Sequence, residues 1–145
     1  MEIVHTLDID GSQWEIQDVE ARNRIAEVEQ LLKTENVNDI PINLNSGNSA
    51  DQAVIISVQK FGKMYMGLII IENLAANNVG TLNRTDIGTI NVNVLNETYS
   101  LGYDYHSGNT VRIRVSQDKH LYFEESSGVS NGSNGIRAQI TWIEA

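Results

Sequence analysis

Few side chains in this sequence are of the kinds that run reactions. Its three histidines, His5, His106 and His120, are scattered and do not recur at the spacing of a metal-binding helix. The nearest approach to a constellation is Asp104-Tyr105-His106, with Glu124-Glu125 further along. On a strand alternate residues share a face, so Asp104 and His106 would chelate an ion only weakly, and a solvated loop edge is the plainer reading. The sequence contains no glycine-rich phosphate loop, nucleophile elbow, paired-histidine zinc helix or calcium loop. It has no cysteine, which removes disulfides, thiolate metal sites and cysteine nucleophiles. No catalytic residue, metal ligand or cofactor is therefore expected. Binding chemistry is better represented. Tyr99, Tyr103, Tyr105 and Tyr122 could form an aromatic platform for a sugar ring, since tyrosine offers an apolar face with a polar rim; the competing reading is ordinary sheet packing.

The scaffold available to position these residues is small. A chain of 145 residues and 16.1 kDa supports one core with a small appendage. Ten basic against nineteen acidic residues give a net charge of −9, which repels phosphate and argues against a nucleic-acid partner. Sixteen asparagines and eleven glycines against one proline favour turns and polar strands over long helices. The longest uncharged, mostly apolar run, Met64 to Ile71, covers about a third of the roughly 20 residues a membrane helix needs, so it reads as a buried strand and no membrane insertion is expected. Met1-Glu2 opens without a basic segment ahead of an apolar one, so no secretory signal is read. Sequons at Asn83, Asn96 and Asn131 are then chance products of an asparagine-rich chain.

Three unequal parts follow along the chain. In residues 1–17, Leu7 and Ile9 precede Asp10-Gly11, and Trp14 and Ile16 follow it, which predicts a small hairpin or, alternatively, an extended arm with Trp14 as its anchor. Residues 18–35 hold a helix from Asp18 to Lys33 with Asp18 as N-cap and Lys33 in the last turn. Its apolar positions Ala21, Ile25, Val28 and Leu32 are spaced four, three and four, a narrow heptad stripe suited to identical helices. β-Branched Ile25 and Val28 tilt that preference towards a trimer, and Arg24 would meet Glu29 across chains; the alternative is a helix that merely caps the domain. Residues 40–145 show about seven strand signals, including an alternation from Thr89 to Leu95, with Pro41 marking the boundary. Mainly β, with a jelly-roll-like antiparallel β-sandwich after the arm and coiled helix, is the predicted fold. Ser126 to Gly135 is a mobile loop by composition, and Ile69-Ile70-Ile71 predicts an outer face covered by a neighbouring subunit.

The segment Thr6 to Asp18, running into Glu20 to Glu27, resembles the N-terminal segment of fibre and appendage proteins of tailed bacteriophages, and Gly135 to Ile143 looks like the last strand of their trimeric β-sandwich tips. The matched segments cover about a quarter of the chain. The resemblance implies a homotrimeric component on the virion exterior. Its N-terminus, through Leu7, Ile9, Trp14 and Ile16, would be anchored to capsid, collar or baseplate proteins, its helix would be a short stalk, and its tip would meet host surface glycan. A small carbohydrate-binding module of a bacterial protein is the alternative that the tyrosines support.

Overall fold

A computed structural model of the chain describes residues 6–9, 12–15, 19–75, 84–126 and 135–145. It divides into two compact units, one ending at Thr34 and one beginning at Glu35. In the first, β1 (Thr6–Ile9) pairs antiparallel with β2 (Ser12–Glu15), Leu7 opposite Trp14 and Ile9 opposite Ser12. That register leaves a two-residue connection at Asp10-Gly11, the length a tight hairpin turn takes. Helix α1 spans Val19–Leu32 with Glu20 in its first turn, where the macrodipole favours an acid. Lys33 lies one residue past its end, and the expected N-cap Asp18 is outside the described residues.

The second unit is one closed sheet, not the two-layer jelly-roll sandwich the alternation suggested. Its strands are β4 (Ile40–Leu44), β5 (Gln52–Phe61), β6 (Met64–Glu72), β7 (Thr85–Ile90), β8 (Thr98–Asp104), β9 (Thr110–Val115), β10 (His120–Ser126) and β11 (Gly135–Ile143). Going round the ring the order is β5, β4, β7, β10, β9, β8, β11, β6, and β6 bonds back to β5, so eight antiparallel strands close into a barrel. β8, β9 and β10 run as consecutive hairpins with β11 returning beside β8. β4, β5 and β6 do the same with β7 returning beside β4, which makes two Greek keys. A jelly roll shares the strand count and the local alternation. What separates the two is the long β5–β6 ladder, from Gln52↔Glu72 to Phe61↔Met64, which turns two potential sheet edges into a bonded pair. A bulge between Ile56 and Gln59, with Ser57 at φ 52°, bends β5 at the point where the ring must curve. Short β3 (Thr34–Asn36) also lies along β5.

Alternation fills the interior. Ile55, Ile69, Ile71, Ile87, Ile113, Leu121, Phe123, Ile136 and Ile140 are fully buried, and at the ends Leu74 on one side and Val92 with Val94 on the other join the same core. The strand predicted from Thr89 to Leu95 therefore stops at Ile90. Its second half leaves the ladder and stoppers one end of the barrel through a single bridge, Val94↔Glu144, and bonds from Leu95 N to Ile143 O and Ala145 N to Asn93 O. Pro41 is inside β4 instead of before the domain. It pairs with Val54 of β5, while β7 begins to pair only at Ile42, so its missing N–H falls where that side of the strand has no β7 partner. Ile70 points outward yet is only 8% exposed in the single chain, in register with Val54 and Arg137. The cover expected from a neighbouring subunit at Ile70 is supplied by the chain itself.

At Gly102 the backbones of β8 and β11 come together: a Cβ there would stand 2.4 Å from the Arg137 carbonyl oxygen and 2.5 Å from the Ala138 Cβ. Gly102→Ala is expected to cost about 1–3 kcal/mol through this overpacking. A lower urea midpoint with an unchanged slope checks it; an unchanged midpoint would mean the two strands separate freely.

Candidate binding surface

Closure and filling push any binding chemistry onto the outer wall and the loops. Along β8 the inward residues are Ser100, Gly102 and Asp104, and the outward ones are Tyr99, Leu101 and Tyr103, all exposed, with Tyr105 exposed just beyond the strand. Three of the four predicted tyrosines thus share one strand's outer face. The fourth, Tyr122 on β10, joins them through β9, because Arg114 is in register with both Tyr99 and Tyr122.

Sequence reasoning missed the cations that accompany them. The Arg112 guanidinium lies 4.6 Å from the Tyr99 ring centre, that of Arg114 4.0 Å from Tyr122, and that of Arg137 4.8 Å from Tyr105. Such stacking occupies the aromatic face that a sugar would use. Among the described residues Tyr103 is the tyrosine of this wall with no guanidinium over it. The alternation of Arg112 and Arg114 was visible in the sequence, but only the β8–β9 register shows that they face tyrosines.

The Arg114 and Arg137 guanidiniums are also tied to acids. Arg114 bonds Glu97 at 2.8 Å and also Glu124, which raises its pKa, chiefly through the Glu124 bond. Arg137 bonds Glu72, and Tyr105 donates to the other Glu72 oxygen at 2.6 Å. The Tyr105 hydroxyl, and after it Arg137, hold the Glu72 carboxyl below its ordinary pKa against the opposing effect of burial, and the same bond raises Tyr105.

Between β8 and β11 the wall opens. Direct pairing covers only Ile136↔Asp104, Arg137↔Tyr103 and Ala138↔Gly102. Beyond it the strands are stitched by side chains: Ser100 Oγ donates to Gln139 O, and Thr98 Oγ1 donates to Thr141 O at 2.6 Å. Two shallow grooves follow this seam. One of about 410 Å³ is lined by Leu68, Leu101, Tyr103, Arg137 and Gln139, and one of about 260 Å³ by Met64, Thr98, Thr141 and Ile143.

The Asp104-Tyr105-His106 group is not a chelate. Asp104 is 1% exposed and its carboxylate accepts bonds from the Gly135 N–H (3.0 Å), the His106 N–H (3.1 Å) and the Ser107 hydroxyl (2.6 Å), while His106 is exposed. This carboxylate clamps the 105–109 turn to the start of β11. Glu124 is held by Arg114, the side chain of Glu125 is outside the described residues, and no group of three or more potential metal ligands occurs among the described residues. His120 instead pairs with Asp86 at 2.8 Å, leaving Asp86 Oδ1 buried without a partner.

In the N-terminal unit, Ala21 and Ile25 are half-buried and Val28 is 53% exposed, whereas the buried helix residue is Ala26. Arg24 bonds Glu20 one turn earlier at 2.6 Å within the same helix, and Glu29 is exposed. Leu7, Ile9 and Trp14 lie on the hairpin strands and Leu32 in the helix, but their side chains, and Ile16 altogether, are outside the described residues, as is the 127–134 stretch read as a mobile loop. No protein-family model, curated protein or solved structure matches the chain.

Burial raises the Asp104 pKa, but the bonds from Ser107, Gly135 and His106 outweigh it and leave the folded value below the ordinary one. A depressed folded pKa contributes stability that is present above the unfolded value near 4 and lost as pH falls through the folded value. Asp104→Ala, which orphans those donors, is expected to cost about 1–3 kcal/mol at pH 7 and to flatten the acid limb of stability below about pH 4. Denaturant titrations at several pH values check this, and an acid limb identical to that of the parent chain would refute the clamp.

Proposed function

We propose that the chain is a nonenzymatic virion component of a tailed bacteriophage, a short homotrimeric fibre or decoration protein. The hairpin of β1 and β2 anchors it to capsid, collar or baseplate, the helix joins the copies, and the barrel stands on the particle exterior. One observation carries this reading: the barrel's interior is filled with side chains, while one outer wall concentrates exposed tyrosine and aliphatic residues. A filled barrel with an apolar wall suits assembly and adhesion more than turnover. The exposed Val28 on the narrow helix stripe supports self-association in the same sense. Host surface glycan, met by outward residues and loops clear of the contact between copies, is the ligand class of this reading.

The second reading, a carbohydrate-binding module, rests on Tyr103, 51% exposed beside the larger groove with no guanidinium stacked on it among the described residues. It predicts sugar binding that Tyr103→Ala weakens at least tenfold in glycan-array or calorimetric titration.

Light scattering of the full chain is expected to give a mass near three times 16.1 kDa at micromolar concentration; a mass near one chain would sink the trimer. Antibody to the barrel is expected to decorate intact particles of the phage that encodes it. Detection only in disrupted particles would rule out an exterior position.

A further inference from the structure

Among the described residues, the exposed large hydrophobic side chains of the barrel are not spread round it. Tyr99, Leu101 and Tyr103 are on β8, Met64 is at the start of β6, and Ile143 is at the end of β11. The remaining two, Leu95 and Tyr105, are bonded through their backbone N–H groups to Ile143 O and Gly135 O of β11. Five of the seven therefore lie on three neighbouring strands and two directly beside them, with Leu101 72% exposed. We infer that the β6–β11–β8 wall is the surface on which copies of this chain pack laterally around a threefold axis, β11 facing the axis and the β8 side of one copy meeting the β6 side of the next. This rests on the homotrimer reading above and names its contact surface.

Charge favours a second copy over other occupants. The chain carries a net charge of −9, so two copies repel over most of their surfaces. The wall's central positions Leu68, Leu101, Tyr103, Gln139 and Thr141 are uncharged, and its border charges are already engaged: Glu72 with Arg137, Glu97 with Arg114, and Lys60 with Glu144 at 3.5 Å. Burying it strands no unpaired charge from these pairs, and it is where two like-charged copies can approach at little cost.

Curvature distinguishes a ring from a twofold contact, while the number of copies rests on the helix stripe. In a ring of eight strands each turns the surface by about 45°, so the outward normals of β6 and β8 differ by about 90°. A twofold contact needs one self-complementary face, whereas a cyclic ring needs two different faces set at an angle, about 60° for three copies. A convex patch three strands wide, whose normals span about 90°, contains the pair about 60° apart that three copies need and by itself equally admits four. Closure of the ring also keeps such a heterologous contact from growing into an open filament.

The chain has no cysteine, so single substitutions report directly. Gln139→Cys, on β11 at the centre of the wall, is expected to form disulfide-linked dimers under mild oxidation at a concentration where the parent chain is trimeric. Asn43→Cys, exposed on β4 outside the wall, is expected to stay uncrosslinked. Leu101→Glu, confirmed folded by circular dichroism, should raise the concentration at which trimers dissociate at least tenfold; the cross-linking pair decides the matter if that variant does not fold. A trimeric parent in which Gln139→Cys cross-links no better than Asn43→Cys, or in which folded Leu101→Glu dissociates as the parent does, overturns this contact while leaving the trimer standing. A parent mass of one chain overturns the trimer and this contact together.

Discussion

Ring closure through the β5–β6 ladder is the constraint on which the rest depends. A sheet that bonds back to itself has no edge, so strand pairing is satisfied within the chain and the barrel needs neither disulfide nor partner to hold its backbone together. The same closure fixes the fate of every side chain. Inward positions must fill a space of fixed volume, which is why Ile, Val, Leu and one Phe recur there and why Leu74, Val92 and Val94 are drawn in as stoppers. Such an interior leaves no room for a cleft. Whatever the protein recognises must be met by outward residues and loops, whose identities the fold leaves free.

Closure is not equally strong all the way round. β6 is paired along its length with both β5 and β11, whereas β8 and β11 share three register pairs before hydroxyl groups take over. Hydroxyls reaching carbonyls continue the seam where the direct ladder stops, and the groove beside Leu101 lies along that seam. A stretch of the ring with a short direct ladder and the ring's most apolar outer surface therefore coincide. A surface that covers the seam shields its side-chain stitches from water, where such bonds contribute little.

Most strands were legible in the sequence because alternation is a local signal. The hairpin at Gly62-Lys63, the Val111–Val115 alternation and the closing strand ending in Trp142 all carry it without ambiguity. Three things were not legible, for physical reasons. The local β5–β6 hairpin completes a ring only because sequence-distant strands also bond, β7 with β4 and β10, and β11 with β6 and β8, and a sandwich and a barrel present the same period of two. Val92 and Val94 alternate because they stopper a barrel end, and a stopper that inserts every second residue looks like a strand until its hydrogen bonds are traced. β4 was hidden because Pro41 reads as a boundary, although β4 tolerates it where only β5 is its neighbour. Of the candidate surface, the tyrosines could be read and their common face follows from their spacing. The guanidiniums stacked on them could not, because Arg112, Arg114 and Arg137 reach those rings only through cross-strand register.

The buried Asp104 separates two regions of the barrel surface. By bonding the start of β11 and the 105–109 turn together, it fixes the end of the barrel from which the connections between Ala75 and Arg84, between Ser126 and Gly135, and around residues 45–51 also leave. Val37 bonds Val58 and Ala145 bonds Asn93 towards the opposite end, so both chain ends of the barrel unit lie away from those loops. The three-strand wall runs between the two ends. Association along the wall would set copies side by side with their loop ends level, each held in place by its own clamp rather than by contact with a neighbour. Asparagine and glycine concentrate in these loops because turns tolerate them and packing does not depend on them.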